Sequence, residues 1–413
     1  MQATIIAIGD ELLIGKVVNT NAANIARKLN LNGIRVIEAT VVGDSRDEIL
    51  RALQRAHQQS EVIILTGGLG PTSDDITKPA LCEYFGSKLK FNPEILEQIK
   101  VFLEKRAGVL NELNRSQAWV PDNCTILPNP IGTAPGMFFE KEGRSYFALP
   151  GVPFEMEKMF DEQVIPVLKK KYGIEHIYHR TILTTGIAES KLAETIADWE
   201  KSLPTEVKLA YLPSPGMVKL RLSVYHDPRG QEMIDAAETR LQAIIGEYIF
   251  GYDDDTLEGV VGRLLLERNA TVATAESCTG GNLALSIVSV AGASAYFKGG
   301  VVAYANEVKS NELGVDPAII AAYGAVSQQT AEAMAQGCIR KFNTQYAVAV
   351  TGIAGPDGGT PEKPVGTVWI AIASSSAVVS KNFLFGDNRM RNIQRTTIAA
   401  LDMLRKTMLG ILR

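Results

Sequence analysis

Ser277, Tyr304 and Lys309 are the residues whose types and spacing most directly suggest catalysis. Ser277 lies between a strand predicted over 270–274 and a helix predicted near 282–289. At such a strand-to-helix loop, free backbone N–H groups and the helix dipole can stabilise an oxyanion. A Ser-His-Asp triad within this region is excluded, because every histidine of the chain lies upstream of it: His57, His176, His179 and His226.

A lysine can replace histidine as the base if burial or neighbouring charge keeps its amine neutral. We therefore predict that Lys309 or Tyr304 takes the proton of Ser277, and that N–H groups near Thr279 and Gly280 hold the oxyanion. Cys278 is a competing nucleophile, but it also lacks a histidine partner. A lone cysteine is more often a small buried hydrophobic residue, so we rank it below the serine.

Glycine-rich and arginine-rich segments of the same region are candidates for substrate binding. The segment 351–359 follows a predicted strand, and its glycines would let the backbone approach a ligand closely. Arginines that open the last helix, 389–395, are suited to gripping a phosphate, which favours an anionic nucleotide as substrate. The predicted binding residues are Gly280, Gly281, Asn306, Thr351, Gly352, Ala354, Gly355, Gly358, Arg389 and Arg395.

The N-terminal region contains acidic loops that follow two predicted strands. Asp10 and Glu11 follow the first strand, and Asp74 and Asp75 end a glycine-rich loop over 66–75. Ligands of parallel α/β sheets bind at the carboxyl ends of strands, and carboxylates without His or Cys favour a Mg²⁺-like ion. We predict that these four residues hold a divalent metal ion. We also predict that a phosphate group of the ligand is bound by Gly67, Gly68, Gly70, Thr72 and Lys78.

The elements that would position both sites form an α/β pattern in three domains. Short apolar strands alternate with amphipathic helices over 1–170 and again over 253–413, as in parallel sheets with crossover helices. Residues 171–252 instead read as a small βαββα domain, with a hairpin turn at 213–216. We place a linker at 251–255, followed by Thr256 as the N-cap of the next helix.

Composition limits the classes of partner. A formal net charge of −4 without a Lys/Arg cluster argues against nucleic acid, and no apolar run reaches the roughly 18 residues that a membrane span needs. The four cysteines lie far apart without a CxxC pair, which fits neither a disulfide framework nor a zinc site. We therefore expect a cytoplasmic protein that binds neither nucleic acid nor membrane.

Several segments of the C-terminal region resemble the C-terminal, PncC-type domain of the CinA family: Ala275-Glu-Ser-Cys-Thr-Gly-Gly281, Tyr304-Ala-Asn-Glu307, Gly324-Ala-Val-Ser327, Gly352-Ile-Ala-Gly-Pro-Asp-Gly-Gly359 and Lys363-Pro-Val-Gly-Thr-Val-Trp369. The resemblance implies hydrolysis of nicotinamide mononucleotide to nicotinic acid mononucleotide and ammonia. It also implies a serine nucleophile and no cofactor for this deamidase.

The N-terminal loops, together with segments 114–118, 129–136 and 149–156, resemble the molybdopterin-binding-like domain of CinA proteins. That resemblance implies a three-layer parallel-sheet fold and an ADP-ribose pyrophosphatase that releases AMP and ribose 5-phosphate. It implies a divalent metal, Mg²⁺, Mn²⁺ or Co²⁺, for this domain, and a bacterial homodimer.

Two alternatives stay open at this point. The N-terminal half could be a non-catalytic pterin- or nucleotide-binding module that supports dimerisation, since a fold does not determine a function. The C-terminal half could be an amidase for another small carboxamide, such as free nicotinamide or glutamine.

Overall fold

The computed structural model describes residues 1–72, 74–106, 108–174, 177–225 and 227–412. The chain divides into two compact units, Met1–Ile177 with Tyr225–Asp227, and Tyr178–Val224 with Pro228–Arg413. No helix in the described ranges is both long and apolar enough to cross a bilayer.

The first unit is a mixed sheet with helices on both faces. Its strands follow the order β2-β1-β3-β8-β7-β6; the first four run parallel, and β7 and β6 are added antiparallel at one edge. The strands are β1 Gln2–Ile8, β2 Arg35–Val42, β3 Val62–Thr66, β4 Leu89–Phe91, β5 Trp119–Pro121, β6 Thr125–Leu127, β7 Gly136–Lys141 and β8 Arg144–Leu149; β4 and β5 pair separately. The helices are α1 Asp10–Leu13, α2 Thr20–Leu31, α3 Arg46–Gln59, α4 Thr77–Phe85, α5 Pro93–Glu104, α6 Glu112–Ser116, α7 Pro153–Met159 and α8 Ile165–Tyr172, with a π-turn over Phe160–Val164.

Two apolar clusters, one on each face of this sheet, make the three layers. Ile5 and Ile64 pack on one face with residues of α2 and α7, whereas Ile6 and Ile63 pack on the other with residues of α3 and α4. Side chains alternate between the faces of a strand, so a strand covered on both sides is apolar at every position. The predicted three-layer α/β fold is confirmed, with antiparallel edge strands in addition.

The second unit begins with a small α+β subdomain over 177–252. Its elements are β9 Ile177–Thr185, α9 Glu189–Lys201, β10 Lys208–Ser214, β11 Met217–Tyr225, α10 Gly230–Ile245 and β12 Ile249–Tyr252. The hairpin between β10 and β11 lies where the sequence predicted it. The edge strand β12 was missed: it pairs antiparallel with β9 and occupies the start of the predicted linker. Thr256 caps the next helix as predicted, accepting a hydrogen bond from the Gly259 N–H.

The rest of the second unit is a five-stranded sheet of order β14-β13-β15-β16-β17, parallel between β14, β13 and β15 and antiparallel beyond. Its strands are β13 Val272–Glu276, β14 Phe297–Val302, β15 Tyr346–Gly352, β16 Thr367–Ser374 and β17 Val378–Leu384. Its helices are α11 Leu257–Glu267, α12 Asn282–Val288, α13 Asn306–Leu313, α14 Pro317–Tyr323, α15 Gln328–Phe342 and α16 Arg389–Met408, with a short 3₁₀ turn over Ala293–Ala295.

The small subdomain and the C-terminal sheet domain are joined within this unit by a buried arginine of α16. Arg405 is 2% exposed and donates hydrogen bonds to the carboxylate of Asp402 and to the carbonyl oxygens of Ile249 and Glu247. A buried guanidinium is tolerated only where its charge is paired and its N–H groups have acceptors. The contact therefore holds the end of α10 and the edge strand β12 against α16.

Replacing Arg405 with Ala should lower the free energy of unfolding of the second unit by about 3 kcal/mol, because it leaves the carbonyls of Ile249 and Glu247 without this donor and removes one of the two cations that pair with Asp402. Urea unfolding followed by tryptophan fluorescence measures this change. The matched control Arg340→Ala removes an exposed arginine of α15 and should change the value by less than about 0.5 kcal/mol. Equal small effects of the two substitutions would contradict a stabilising role for the buried contact.

Candidate functional site

Ser277 lies on the turn between β13 and α12, and the preceding residue determines the shape of that turn. The Glu276 side chain is 1% exposed, and its carboxylate accepts hydrogen bonds from the N–H groups of Gly281, Leu283 and Ala284. The Ser277 N–H donates to Val350 O of the neighbouring strand. Ser277 is therefore held from both sides, and its side chain is 8% exposed.

Lys309 faces Ser277 from α13. Its Nζ lies 3.4 Å from Ser277 Oγ, 2.8 Å from Ala303 O and 3.1 Å from Tyr304 O. The side chain is 1% exposed, and this burial lowers the pKa of the amine below its usual value of 10.5. In the neutral amine, two N–H groups donate to the carbonyls and the lone pair is left facing the serine hydroxyl.

Tyr304 and Arg389 form the outer part of the same site. Tyr304 is 61% exposed, and its hydroxyl accepts a hydrogen bond from the Arg389 guanidinium at 3.2 Å. Arg389 also donates to Gly355 O at 2.8 Å. The geometry therefore favours Lys309 over Tyr304 as the base, since the tyrosine hydroxyl contacts the arginine at the mouth of the site.

These residues line a cavity of about 220 Å³. Of the residues predicted from the sequence, eight lie on its wall: Ser277, Tyr304, Asn306, Lys309, Thr351, Gly352, Ala354 and Arg389. Ala325 and Val326 also line it and received no role from the sequence, although they belong to a segment that carried the family resemblance. The Thr351 hydroxyl donates to Ala325 O, which holds this segment against the end of β15.

Arg395 does not reach this cavity and lines a different one, in contrast to the prediction that it binds substrate phosphate. It stands six residues after Arg389 on α16, which at about 100° per residue turns it roughly 240° around the helix. Gly280, Gly281, Gly355 and Gly358 also lie off the cavity wall, and Gly358 is exposed on the outer part of its loop.

The backbone donors near Ser277 differ from those predicted. The Gly280 N–H donates to Ser277 O at 3.1 Å and is therefore not free to bind an oxyanion. Within the described ranges, the N–H groups of Cys278 and Thr279 have no acceptor. The Thr279 hydroxyl is buried and likewise has no partner there. The available oxyanion donors thus lie one residue earlier than expected.

Cys278 is a poor nucleophile in this position. Burial raises the pKa of its thiol to about 12, so little thiolate exists at neutral pH. Its sulfur also lies near Gly352, where a Cβ would approach it to 3.0 Å. The thiol therefore packs as a small apolar group beside the serine.

A second cleft, of about 350 Å³, lies in the first unit at the carboxyl ends of the parallel strands. The glycine-rich loop forms one wall with Gly67, Gly68 and Gly70. Gly67 has φ of 108°, and a Cβ there would lie 2.1 Å from Ile8 O, so the loop can pass β1 this closely only with glycine. Carboxylates on the wall belong to Glu11, Asp44, Asp74, Asp75 and Glu155.

Asp44 and Glu155 were missed by the sequence prediction. Burial raises the pKa of both carboxyls, and the pKa of Asp44 is raised further by the charges of Asp10, Glu11 and Asp74. Asp10 and Asp44 also exchange N–H to carboxylate hydrogen bonds of 3.0 and 3.2 Å. Asp44 lies two residues after the end of β2. The argument that ligands bind at the carboxyl ends of parallel strands would have identified it if it had also been applied to this strand.

The predicted metal ligands do not form a ready metal site. Asp75 accepts hydrogen bonds from the N–H groups of Gly70 and Thr72 and so closes its own loop, while Asp10 lies off the cleft wall. In the described ranges, no group of three or more His, Cys, Asp or Glu side chains is arranged to hold a metal ion. The oxygen chemistry of the wall suits a hard cation, and the metal requirement stays a prediction.

Lys78 and Thr72 also lie off the cleft wall. Lys78 is 7% exposed, and its amine donates to the backbone carbonyl and the side-chain oxygen of Gln117 at 3.1 and 3.0 Å. Burial lowers the pKa of this amine to about 8. In this arrangement the lysine supports the segment before β5, and its amine is not directed at a phosphate in the cleft.

Three protein-family models match the chain, and together they span most of it. “Probable molybdopterin binding domain” matches residues 4–170, “Damage-inducible protein CinA KH domain” matches 179–251 and “CinA C-terminal domain” matches 254–408.

The chain is also similar to relatives and to solved structures whose names refer to CinA or to competence/damage-inducible proteins. A CinA-like protein of Cytophaga hutchinsonii is 47% identical, covering 98% of this chain and 97% of its own. One of Flavobacterium psychrophilum is 46% identical, covering 99% of each chain. The crystal structure of the competence/damage inducible protein CihA from Agrobacterium tumefaciens is 40% identical, covering 36% of this chain and 93% of that one, with a TM-score of 0.35.

Proposed function

The chain belongs to the CinA family, and from that premise we propose that its C-terminal domain is a serine amidohydrolase that deamidates nicotinamide mononucleotide without a cofactor. The observation that carries the proposal is the 3.4 Å approach of the Lys309 amine to the Ser277 hydroxyl in a buried site. Burial favours the neutral amine, which is the form that can accept a proton.

In the proposed reaction, Ser277 Oγ attacks the carboxamide carbon while its proton passes to Lys309 Nζ. The N–H groups of Cys278 and Thr279 are the donors available to the resulting oxyanion. The C–N bond then breaks, and Lys309 returns the proton to the departing nitrogen, which leaves as ammonia. Water hydrolyses the acyl-serine ester, releasing nicotinic acid mononucleotide and restoring the hydroxyl.

Arg389 supports a phosphorylated substrate over free nicotinamide or glutamine. Its guanidinium lies at the mouth of the cavity beside Tyr304, where it can pair with a phosphate while the carboxamide reaches the serine. An unphosphorylated carboxamide brings no anionic group to this guanidinium, so discrimination between phosphorylated and unphosphorylated substrates should depend on Arg389.

For the N-terminal domain we propose hydrolysis of ADP-ribose to AMP and ribose 5-phosphate, with a requirement for Mg²⁺, Mn²⁺ or Co²⁺. The supporting observation is a cleft that combines a glycine-rich loop with Asp44 and Glu155, two carboxyls whose pKa values are raised by burial. Carboxyls with raised pKa values in a cleft are candidates for acid–base catalysis. A non-catalytic binding module remains the alternative, and the homodimer and the cytoplasmic location also remain predictions.

The Ser277→Ala variant should lose nicotinamide mononucleotide deamidation by about 10³-fold or more, because it removes the nucleophile. The measurement follows ammonia and nicotinic acid mononucleotide with and without EDTA, which should have no effect on the wild type. Cys278→Ala is the matched control and should retain most of the turnover. Activity that survives the serine change and disappears with the cysteine change would reverse the assignment.

The rate of deamidation should rise with pH through the lowered pKa of Lys309 and level off above it, because only the neutral amine accepts the serine proton. Lys309→Arg should abolish this activity over the whole pH range, since a guanidinium stays charged. Lys298→Ala, which removes an exposed lysine of β14, should keep the wild-type profile. A kcat profile unchanged in Lys309→Arg would exclude Lys309 as the base.

Glu155→Gln should lower AMP release from ADP-ribose by about 10² to 10⁴-fold, as expected for loss of an acid–base group. Turnover should stop with EDTA and return with Mg²⁺, while deamidation in the same preparation should be unaffected. Glu162→Gln, an exposed acid on the following π-turn, is the control. Absence of AMP release from the wild type with all three metals would favour the non-catalytic alternative.

A further inference from the structure

A cavity of about 640 Å³ lies at the junction of the small α+β subdomain and the C-terminal sheet domain, within the second unit. Its walls are the end of β9 with the turn that follows it, the β10–β11 hairpin, β17 and the middle of α16. It shares no lining residue with the cavity around Ser277. Its volume lies within the roughly 300–1,000 Å³ that small-molecule pockets occupy.

One wall of this junction cavity is fixed by the Arg405 contact. Asp402 pairs with Arg405 and with Lys406, whose amine lies 3.1 Å from the carboxylate and 5.2 Å from the centre of the Tyr248 ring. At Gly186 a Cβ would come within 3.3 Å of both Lys406 and Asp402, so the two domains meet closely here. The cavity is therefore bounded by buried, paired groups on this side.

Much of the lining is apolar and includes aromatic rings. Phe383 and Phe385 lie nearly parallel, with ring centres 5.4 Å apart, and Met217, Ile398 and Met403 line the cavity with them. Flat apolar groups bind well against such surfaces because they gain both burial and ring contact.

Two cations of the cavity have no acidic partner. Within the described ranges, the side chains of Arg395 and Lys381 form neither an ion pair nor a hydrogen bond, although the Lys381 amine lies 5.4 Å from the centre of the Phe383 ring. Arg395 is half-buried. The acids on the lining have other surroundings: Asp402 is paired with two cations, and Glu189 and Glu247 are exposed residues of the small subdomain.

We propose that this cavity is a second ligand site, which binds a small organic anion with a flat apolar body. The anionic group lies against Arg395 and Lys381, and the apolar body lies against Phe383, Met217 and Met403. The ligand contacts both domains, so it stabilises their junction by binding only the folded arrangement. This site is independent of the proposed deamidase chemistry.

The probe for this proposal is 1-anilinonaphthalene-8-sulfonate, titrated calorimetrically into the full-length protein. Arg395→Gln and Lys381→Gln should each weaken binding by about tenfold, because each removes one charged contact to the sulfonate. Arg391→Gln is the matched control: it removes an exposed arginine from the same helix that does not line the cavity, and it should leave the affinity unchanged. The uncharged analogue N-phenyl-1-naphthylamine should bind equally to all four proteins.

Methyl NMR of ¹³C-methionine-labelled protein locates the bound probe. The signals of Met217 and Met403 should shift, and they should shift equally in Ser277→Ala, whose altered cavity is elsewhere. Absence of binding to the wild type, equal affinity in Arg395→Gln, or shifts confined to other methionines would overturn the proposal. Gel filtration with light scattering gives the oligomeric state: a dimer that does not bind the probe would also overturn the proposal, since a second copy of the chain would then cover the cavity.

Discussion

A single buried carboxylate holds the geometry on which the C-terminal site depends. Glu276 accepts three backbone N–H groups of the turn and first residues of α12, which would otherwise be buried without acceptors. The next residue is Ser277, so the contact that shapes the turn also positions the serine. With Ser277 bound to β15 through its N–H, neither side of the turn is free to move.

The burial that lowers the pKa of Lys309 depends on the sheet beneath it. The central strands alternate large aliphatic residues on one face, as at Val348 and Ile370, with alanine on the other, as at Ala347 and Ala371. The alanine face leaves room for α15 to lie close to the strands. Gly337 of α15 then approaches α13 so closely that a Cβ would lie 1.8 Å from Leu313 O. This close approach packs α15 against the helix that carries the lysine.

The two candidate sites use the ends of parallel strands differently. In the C-terminal site a serine hydroxyl faces one desolvated amine, whereas in the N-terminal cleft burial and then the charges of neighbouring carboxylates raise the pKa of Asp44. The carboxylate of Asp75 closes the glycine-rich loop of the cleft by accepting backbone hydrogen bonds. This structural role cannot be recognised from the sequence, where Asp75 only follows another aspartate. Strand ends are where both arrangements can form, because there the backbone leaves the sheet and its side chains converge.

The sequence alone determined the α/β class and the family and singled out Ser277, Tyr304 and Lys309 as candidates for one site, because strand periodicity and the types and spacing of residues are local properties. It could not choose between Lys309 and Tyr304, since that choice depends on burial and on the approach of α13 to the turn. The sequence likewise could not show that Arg389 lines the cavity around Ser277 whereas Arg395 lines another, or that Lys78 is buried. The direction of a side chain depends on what packs against its helix. Tertiary structure decided these questions by determining which polar groups meet one another and which remain in contact with water.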